Sequence, residues 1–63
     1  MKNLTEHELQ TVINGVFQYC LEEGIDDVNT IWEVVCDETD TDYDDSDGIV
    51  VEIFENECEK WDL

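Results

Sequence analysis

The predicted fold of this chain depends on the segment TIWEVVC at residues 30–36. The segment is crowded with β-branched and aromatic side chains, which are typical of β-strands. As a strand it would place on one side Trp32, Val34 and Cys36. Apolar residues also recur at helical spacing between positions 28 and 35, so a helix capped by Asp26 or Asp27 is the alternative. We predict a strand.

The C-terminal half offers further strands. Gly48 precedes the apolar run IVVEIF at residues 49–54, which we predict to pair antiparallel with residues 30–36. The chain is expected to turn at Asn56. The tail at residues 57–63 alternates apolar and charged side chains, which suits a third, edge strand. Apolar or aromatic side chains at positions 50, 53, 54, 58 and 61 suit a helix equally well.

The N-terminal part predicts an amphipathic helix at residues 5–23. Thr5 and Glu8 have the spacing of a capping box, and Leu4 and Leu9 that of a hydrophobic staple. Apolar residues continue at three- and four-residue steps as far as Gly24, the expected left-handed cap. The predicted fold class is therefore α+β: one domain, residues 1–63, in which this helix packs on an antiparallel sheet of two or three strands. A mostly helical chain is the alternative.

The charge of the chain is far from balanced. Nineteen Asp and Glu residues face two lysines, Lys2 and Lys60, and the formal net charge is -17. Repulsion at this density destabilises a compact chain, and about 2 to 8 net charges already keep a small domain in solution. Since 41% of the residues are hydrophobic, we expect a folded body with an acidic loop at residues 37–47. The excess charge predicts an electrostatic function.

Catalytic and metal sites are not expected. The chain has no Arg, no glycine-rich loop and a single histidine, His7, in the first helical turn. An EF-hand register that places Gly48 at the sixth loop position puts Tyr43 and Phe54 where ligands belong. The three cysteines have spacings that fit neither a disulfide framework nor a zinc knuckle, and we expect buried free thiols. The sequence predicts a protein that is not an enzyme and has no cofactor.

The carboxylates themselves are the candidate site. On an extended chain every second side chain projects to one face at roughly 6.6 Å, close to the separation of successive phosphates along a nucleic-acid strand. Two sets have this period: Asp40, Asp42 and Asp44 form one, and Glu55, Glu57 and Glu59 form the other. Glu33 and Glu52 would stand on the exposed face of the sheet. The candidate partner-binding residues are Asp37, Glu38, Asp40, Asp42, Asp44, Asp45, Asp47, Glu52, Glu55, Glu57 and Glu59. Phosphates would be repelled by this surface, so the expected partner is a basic nucleic-acid-binding protein rather than nucleic acid.

In length, charge and expected α+β pattern, the whole chain resembles the small phage-encoded DNA-mimic inhibitors, which include uracil-DNA glycosylase inhibitor, the overcome-restriction proteins and acidic anti-CRISPR proteins. The resemblance is one of class, and no family motif is matched residue by residue. It implies a protein of the host-cell cytoplasm that blocks the DNA-binding surface of a CRISPR effector, restriction enzyme or repair enzyme.

A second hypothesis is an acidic interaction module, antitoxin-like or transcription-regulating, that binds a basic partner without imitating DNA. No apolar run is long enough to span a membrane, and the N-terminus lacks the layout of a secretory signal. Association of two copies through Trp32, Phe54 or Trp61 is a further expectation, because a dimer would extend the acidic surface.

Overall fold

A computed structural model describes residues 4–63 as three α-helices. They are α1 (Glu6–Glu22), α2 (Val28–Thr39) and α3 (Ile49–Lys60), and no strand occurs between residues 4 and 63. The predicted α+β fold is therefore wrong, and the strands expected at 30–36, 49–54 and 57–63 are all helical. The mostly helical alternative describes the fold.

The prediction for α1 is confirmed. The Thr5 amide donates to Glu8 Oε1 at 2.9 Å and the Glu8 amide donates to Thr5 Oγ1 at 3.2 Å, which completes the capping box. Leu4 packs against the core, as the staple predicted. The helix stops at Gly24, whose φ of 81° lies in the left-handed region that glycine adopts without strain.

Helix α2 forms where a strand was expected because its apolar residues are buried along one helical stripe. Ile31 and Val35, one turn apart, are fully buried against the rest of the core. Asp27 caps the helix by accepting hydrogen bonds from the Asn29 amide and the Thr30 hydroxyl, at 3.2 and 3.0 Å. Burial of that stripe outweighs the modest β preference of the side chains.

Helix α3 likewise replaces the predicted strands and the predicted turn at Asn56. It begins after Gly48 without a side-chain cap, and it buries Val50, Ile53 and Phe54 at three- and four-residue steps. The Phe54 ring lies between two aromatic neighbours, with centroid distances of 5.3 Å to Phe17 and 4.9 Å to Trp32. These contacts join α3 to both other helices. Helix α1 packs on α2 and α3 more extensively than those two pack on each other.

The acidic loop is shorter than predicted and is held to the bundle. Of residues 37–47, the first three belong to α2, so the connection between α2 and α3 covers residues 40–48. The Trp32 indole N–H donates to the Tyr43 carbonyl at 2.9 Å, and the Thr39 and Thr41 hydroxyls are 2.8 Å apart. The side chain of Asp45 lies directly against Gly48, where an added Cβ would collide with it.

All three helices end in the same hydrogen-bonding pattern, and each uses a cysteine. The residues in left-handed conformation are Gly24, Asp40 and Asp62. The next amide in each case donates to a cysteine carbonyl five residues earlier: Ile25 to Cys20 at 2.8 Å, Thr41 to Cys36 at 2.9 Å and Leu63 to Cys58 at 2.9 Å. This is the 6→1 bond of the Schellman motif. The cysteines are therefore widely spaced in sequence because each lies in the last turn of a different helix.

Candidate functional site

Most carboxylates are on the surface, as the composition requires. All nineteen lie within residues 4–63, and every one is exposed except Asp45 and Glu57, which are partly buried. With only two lysines in the chain, most of these groups have no cationic side chain with which to pair. The surface is therefore strongly electronegative.

Helix α2 carries the first organised set, which we call the α2 stripe: Glu33, Asp37 and Asp40. Glu33 and Asp37 lie one turn apart on one side of α2, about 6 Å along its axis, and Asp40 directly follows the last residue of the helix. With Tyr43 and Thr41 they line a shallow concavity beside the loop. This alignment was not predicted, because residues 30–36 were expected to form a strand and residues 37–47 a loop, whereas α2 continues to Thr39.

Helix α3 carries the second set, the α3 stripe: Glu52, Glu55 and Glu59. Their three- and four-residue steps again place them on one side of a helix. The row predicted from Glu55, Glu57 and Glu59 is wrong. Alternate residues of a helix are about 200° apart around its axis, so Glu57 projects away from the other two.

Glu57 is part of the bundle's internal polar network. Its Oε1 accepts from the Asn14 side-chain amide and from the Trp61 indole, both at 3.1 Å. Its Oε2 lies 3.8 Å from the Lys60 ammonium, and only 12% of its side chain is exposed. Asn14 in turn accepts from the Gln18 amide at 2.8 Å. Glu57 therefore joins α1 to α3.

The remaining candidate residues do not form the row predicted for an extended chain. The row predicted from Asp40, Asp42 and Asp44 is interrupted, because Asp40 is in left-handed conformation and the Asp45 amide donates to the Asp42 carbonyl at 3.0 Å. Glu38 lies on another side of α2, where it lines a groove with α1. The exposed loop carboxylates are Asp42, Asp44 and Asp47. The loop adds charge beside the α2 stripe but has no regular spacing.

An apolar groove runs between α2 and α3, which we call the α2–α3 groove. Its apolar lining comprises Val28, Trp32, Val51, Phe54, Cys58 and Leu63, and its acidic edge comprises Asp45, Glu55 and Glu59. Two members of the α3 stripe, Glu55 and Glu59, thus border this groove. Asn29 of α2 also lines this groove, and Glu33 follows Asn29 by one helical turn. The α2 stripe therefore begins one turn beyond the groove, along α2.

The basic side chains of the described part lie elsewhere. His7 and Lys60 both line a polar groove between α1 and α3, together with Asn14 and Glu57. Neither lines the α2 concavity or the α2–α3 groove. Among the described residues, charge is therefore segregated, because no basic side chain lines the α2 concavity or the α2–α3 groove.

The cysteines are free thiols with little nucleophilic character. Burial raises the pKa of Cys20. Burial is also the main cause of the raised pKa of Cys36 and of Cys58. Nearby carboxylates raise both pKa values further: Asp42 and Asp45 act on Cys36, and Glu55 and Glu57 act on Cys58. Thiols with raised pKa values stay protonated near neutral pH, and the thiolate is the reactive form. The prediction of buried free thiols is confirmed for Cys20 and Cys36, while Cys58 is half-buried.

The described residues contain no group of three or more His, Cys, Asp or Glu side chains arranged to hold a metal ion. Between residues 4 and 63 no helix combines the length and the apolar character needed to cross a bilayer.

Comparisons of the chain with protein-family models, with curated proteins and with solved structures gave no match.

Proposed function

We propose that this protein is a DNA-mimic inhibitor that occupies the basic nucleic-acid-binding surface of another protein. The observation that carries the proposal is the pair of carboxylate stripes on α2 and α3. Successive acids of a stripe are separated along the helix by about 4.5 to 6 Å, which is comparable with the spacing of phosphates along a nucleic-acid strand. Helical stripes thus take the place of the extended rows expected from sequence.

The electrostatics of such a complex favour competition with DNA. A Lys- and Arg-rich groove gains affinity for DNA by releasing condensed counterions, and a surface with the net charge of this chain attracts the same groove. The class resemblance drawn from sequence makes a host-defence or repair protein the proposed target, with anti-CRISPR or anti-restriction activity as the leading form. A cytoplasmic location in the host cell belongs to the same proposal.

A second candidate function is an acidic interaction module that binds a basic partner and leaves its DNA binding intact. The observation that favours it is the α2–α3 groove, since a DNA duplex has no counterpart to an apolar cleft lined by Trp32 and Phe54. The two functions differ in one measurable respect, which is whether DNA and this protein exclude each other from the target.

The experiment uses two variants with the same net charge. The stripe variant carries Glu33→Gln, Asp37→Asn and Asp40→Asn; the control carries Glu22→Gln, Glu23→Gln and Asp26→Asn, three exposed carboxylates near the end of α1. A target captured from bacterial lysate is titrated with each protein in the presence of labelled DNA. Exposed ion pairs contribute at most about 1 kcal/mol each, so the stripe variant should lose up to about 100-fold in affinity and the control much less.

The result has three informative forms. Displacement of DNA, together with selective loss in the stripe variant, supports the mimic. Equal losses in both variants would show that net charge alone drives binding, which contradicts the proposal. A target that binds this protein and DNA at the same time would replace the mimic by the interaction module.

A further inference from the structure

The α2–α3 groove is an apolar feature that the described fold leaves open. Val28 and Leu63 are 36% and 41% exposed, and they lie at the margins of a cleft whose floor includes Trp32 and Phe54. The cleft exists because α2 and α3 pack mainly on α1 and little on each other. An open apolar cleft of this kind marks an interaction site more often than a single exposed apolar residue does.

We propose that this groove receives an amphipathic helix of the target protein, with apolar residues on one face and Lys or Arg on both flanks. The inference rests on the proposed function in one respect only, namely that the partner is a basic protein. It adds that the partner contributes an apolar element, which an imitation of DNA by charge alone does not require.

Charge complementarity selects this occupant. Carboxylates edge the groove at Asp45, Glu55 and Glu59, and none of the lining residues within positions 4–63 is basic. A second copy of the chain would bring another net charge of -17 against this edge, and nucleic acid would bring phosphates. A basic amphipathic helix instead satisfies both the apolar floor and the acidic edge.

The length of the groove also fits a helix. From Val51 to Glu59 the lining follows α3, a rise of about 12 Å, or a little more than two helical turns. Leu63 lies beyond the end of the helix, where its amide bonds back to the Cys58 carbonyl. A docked helix of that length presents apolar side chains at i, i+3 or i+4, and i+7, which is the pattern of helix-in-groove recognition. Asp45, Glu55 and Glu59 lie along the groove, where flanking cations of the docked helix can reach them.

The test uses a synthetic peptide of about 14 residues with leucine at i, i+3, i+4 and i+7 and lysine elsewhere. A scrambled peptide of the same composition, with no apolar face, is its control. Binding is followed by the emission of Trp32 in a Trp61→Phe background, since Trp32 lies in the groove. We expect the amphipathic peptide to shift Trp32 emission to shorter wavelength and to bind at least about tenfold more tightly than the scrambled peptide.

Matched substitutions locate the contact. Val28→Ser combined with Val51→Ser removes apolar lining, whereas Ile49→Ser combined with Val12→Ser changes similar positions outside the groove. Val28 and Ile49 are each the exposed first residue of a helix, and Val51 and Val12 are each half-buried within one. The groove pair should weaken the amphipathic peptide about tenfold and the control pair less than about twofold. If either double variant loses its helical circular dichroism, Val28→Ser and Ile49→Ser are compared alone.

Two results would overturn the inference. Equal binding of both peptides, or equal effects of the two variants, would show that the groove takes no part, while the proposal on the carboxylate stripes would stand. Concentration-dependent dimerisation of the protein alone, abolished by the groove pair, would make a second copy the occupant. Conversely, the protein could fail to compete with DNA for the target and still bind the amphipathic peptide more tightly than the scrambled one. That result would reject the DNA-mimic function and support the groove as a binding site.

Discussion

Asp40 provides the sharpest test of the fold, because its backbone has a conformation that glycine favours. Its φ of 56° ends α2, and the amide that follows it bonds to the Cys36 carbonyl. We compare Asp40→Gly with Asp40→Ala. Both remove the same negative charge from the C-terminal end of a helix, where an anion is unfavourable by about 0.3 to 1 kcal/mol. The two variants therefore differ only in what the backbone prefers.

The magnitude follows from opposing terms. A left-handed conformation costs an L-residue about 1 to 2 kcal/mol, whereas the extra freedom of glycine in the unfolded chain costs about 0.4 to 1 kcal/mol. Glycine should therefore be more stable than alanine at position 40 by roughly 0.5 to 1 kcal/mol. For a domain of this size, a difference of 1 kcal/mol corresponds to about 4 to 8 °C in Tm.

The control is Asp37, an exposed residue inside α2. There the order should be reversed, because alanine is about 1 kcal/mol more favourable than glycine in a helix interior. Stability is measured by urea unfolding with far-UV circular dichroism, since guanidinium is a salt and would screen the repulsion among carboxylates. If alanine is the more stable residue at both positions, residue 40 is helical and the described end of α2 is wrong.

Three further outcomes are expected. Glu57→Gln should change the free energy of unfolding little, since the amide oxygen still accepts both hydrogen bonds. Glu57→Ala should lower the free energy of unfolding in urea by about 1 to 3 kcal/mol. Equal effects of the two variants would contradict the role of Glu57 in joining α1 to α3. Raising NaCl from 0.01 to 1 M shortens the screening length from about 30 Å, which is comparable with the 29 Å length of the molecule, to about 3 Å. Tm should therefore rise, because repulsion among the carboxylates is screened. A constant Tm would show that this repulsion is not destabilising. In alkylation followed by mass spectrometry, Cys58 should react before Cys20, because Cys58 is only half-buried. Salt should accelerate the reaction of Cys58 more than that of Cys20, since carboxylates contribute to the raised pKa of Cys58 whereas burial alone raises the pKa of Cys20. The opposite order of reaction would contradict the described exposures.

The sequence was sufficient for α1 because its signals are local. The capping box at Thr5, the staple at Leu4 and the left-handed Gly24 each involve residues within a few positions of one another, and each is found in the structure. Such interactions have the same geometry whatever the rest of the chain does. The net charge and the exposure of the carboxylates were likewise predictable, since so many acids cannot be buried without partners.

The identity of α2 and α3 required the tertiary structure. Short apolar runs such as residues 30–36 and 49–54 fit both a strand and a helix, and β-branched composition favoured the strand. That preference depends on cross-strand neighbours, which this chain does not provide between residues 4 and 63. In the bundle, Ile31, Val35 and Ile53 are buried in the core shared with α1.

The same choice determined the candidate site. In an extended conformation, residues 55–59 would have displayed Glu55, Glu57 and Glu59 together. As part of α3, they separate Glu57 from the other two and align Glu55 with Glu59. The sequence by itself determined that this protein presents carboxylates in great excess and begins with an amphipathic helix. Only packing against α1 decided that the acids form helical stripes beside an apolar groove, because the side-chain period changes from 2 to 3.6 when a segment becomes a helix.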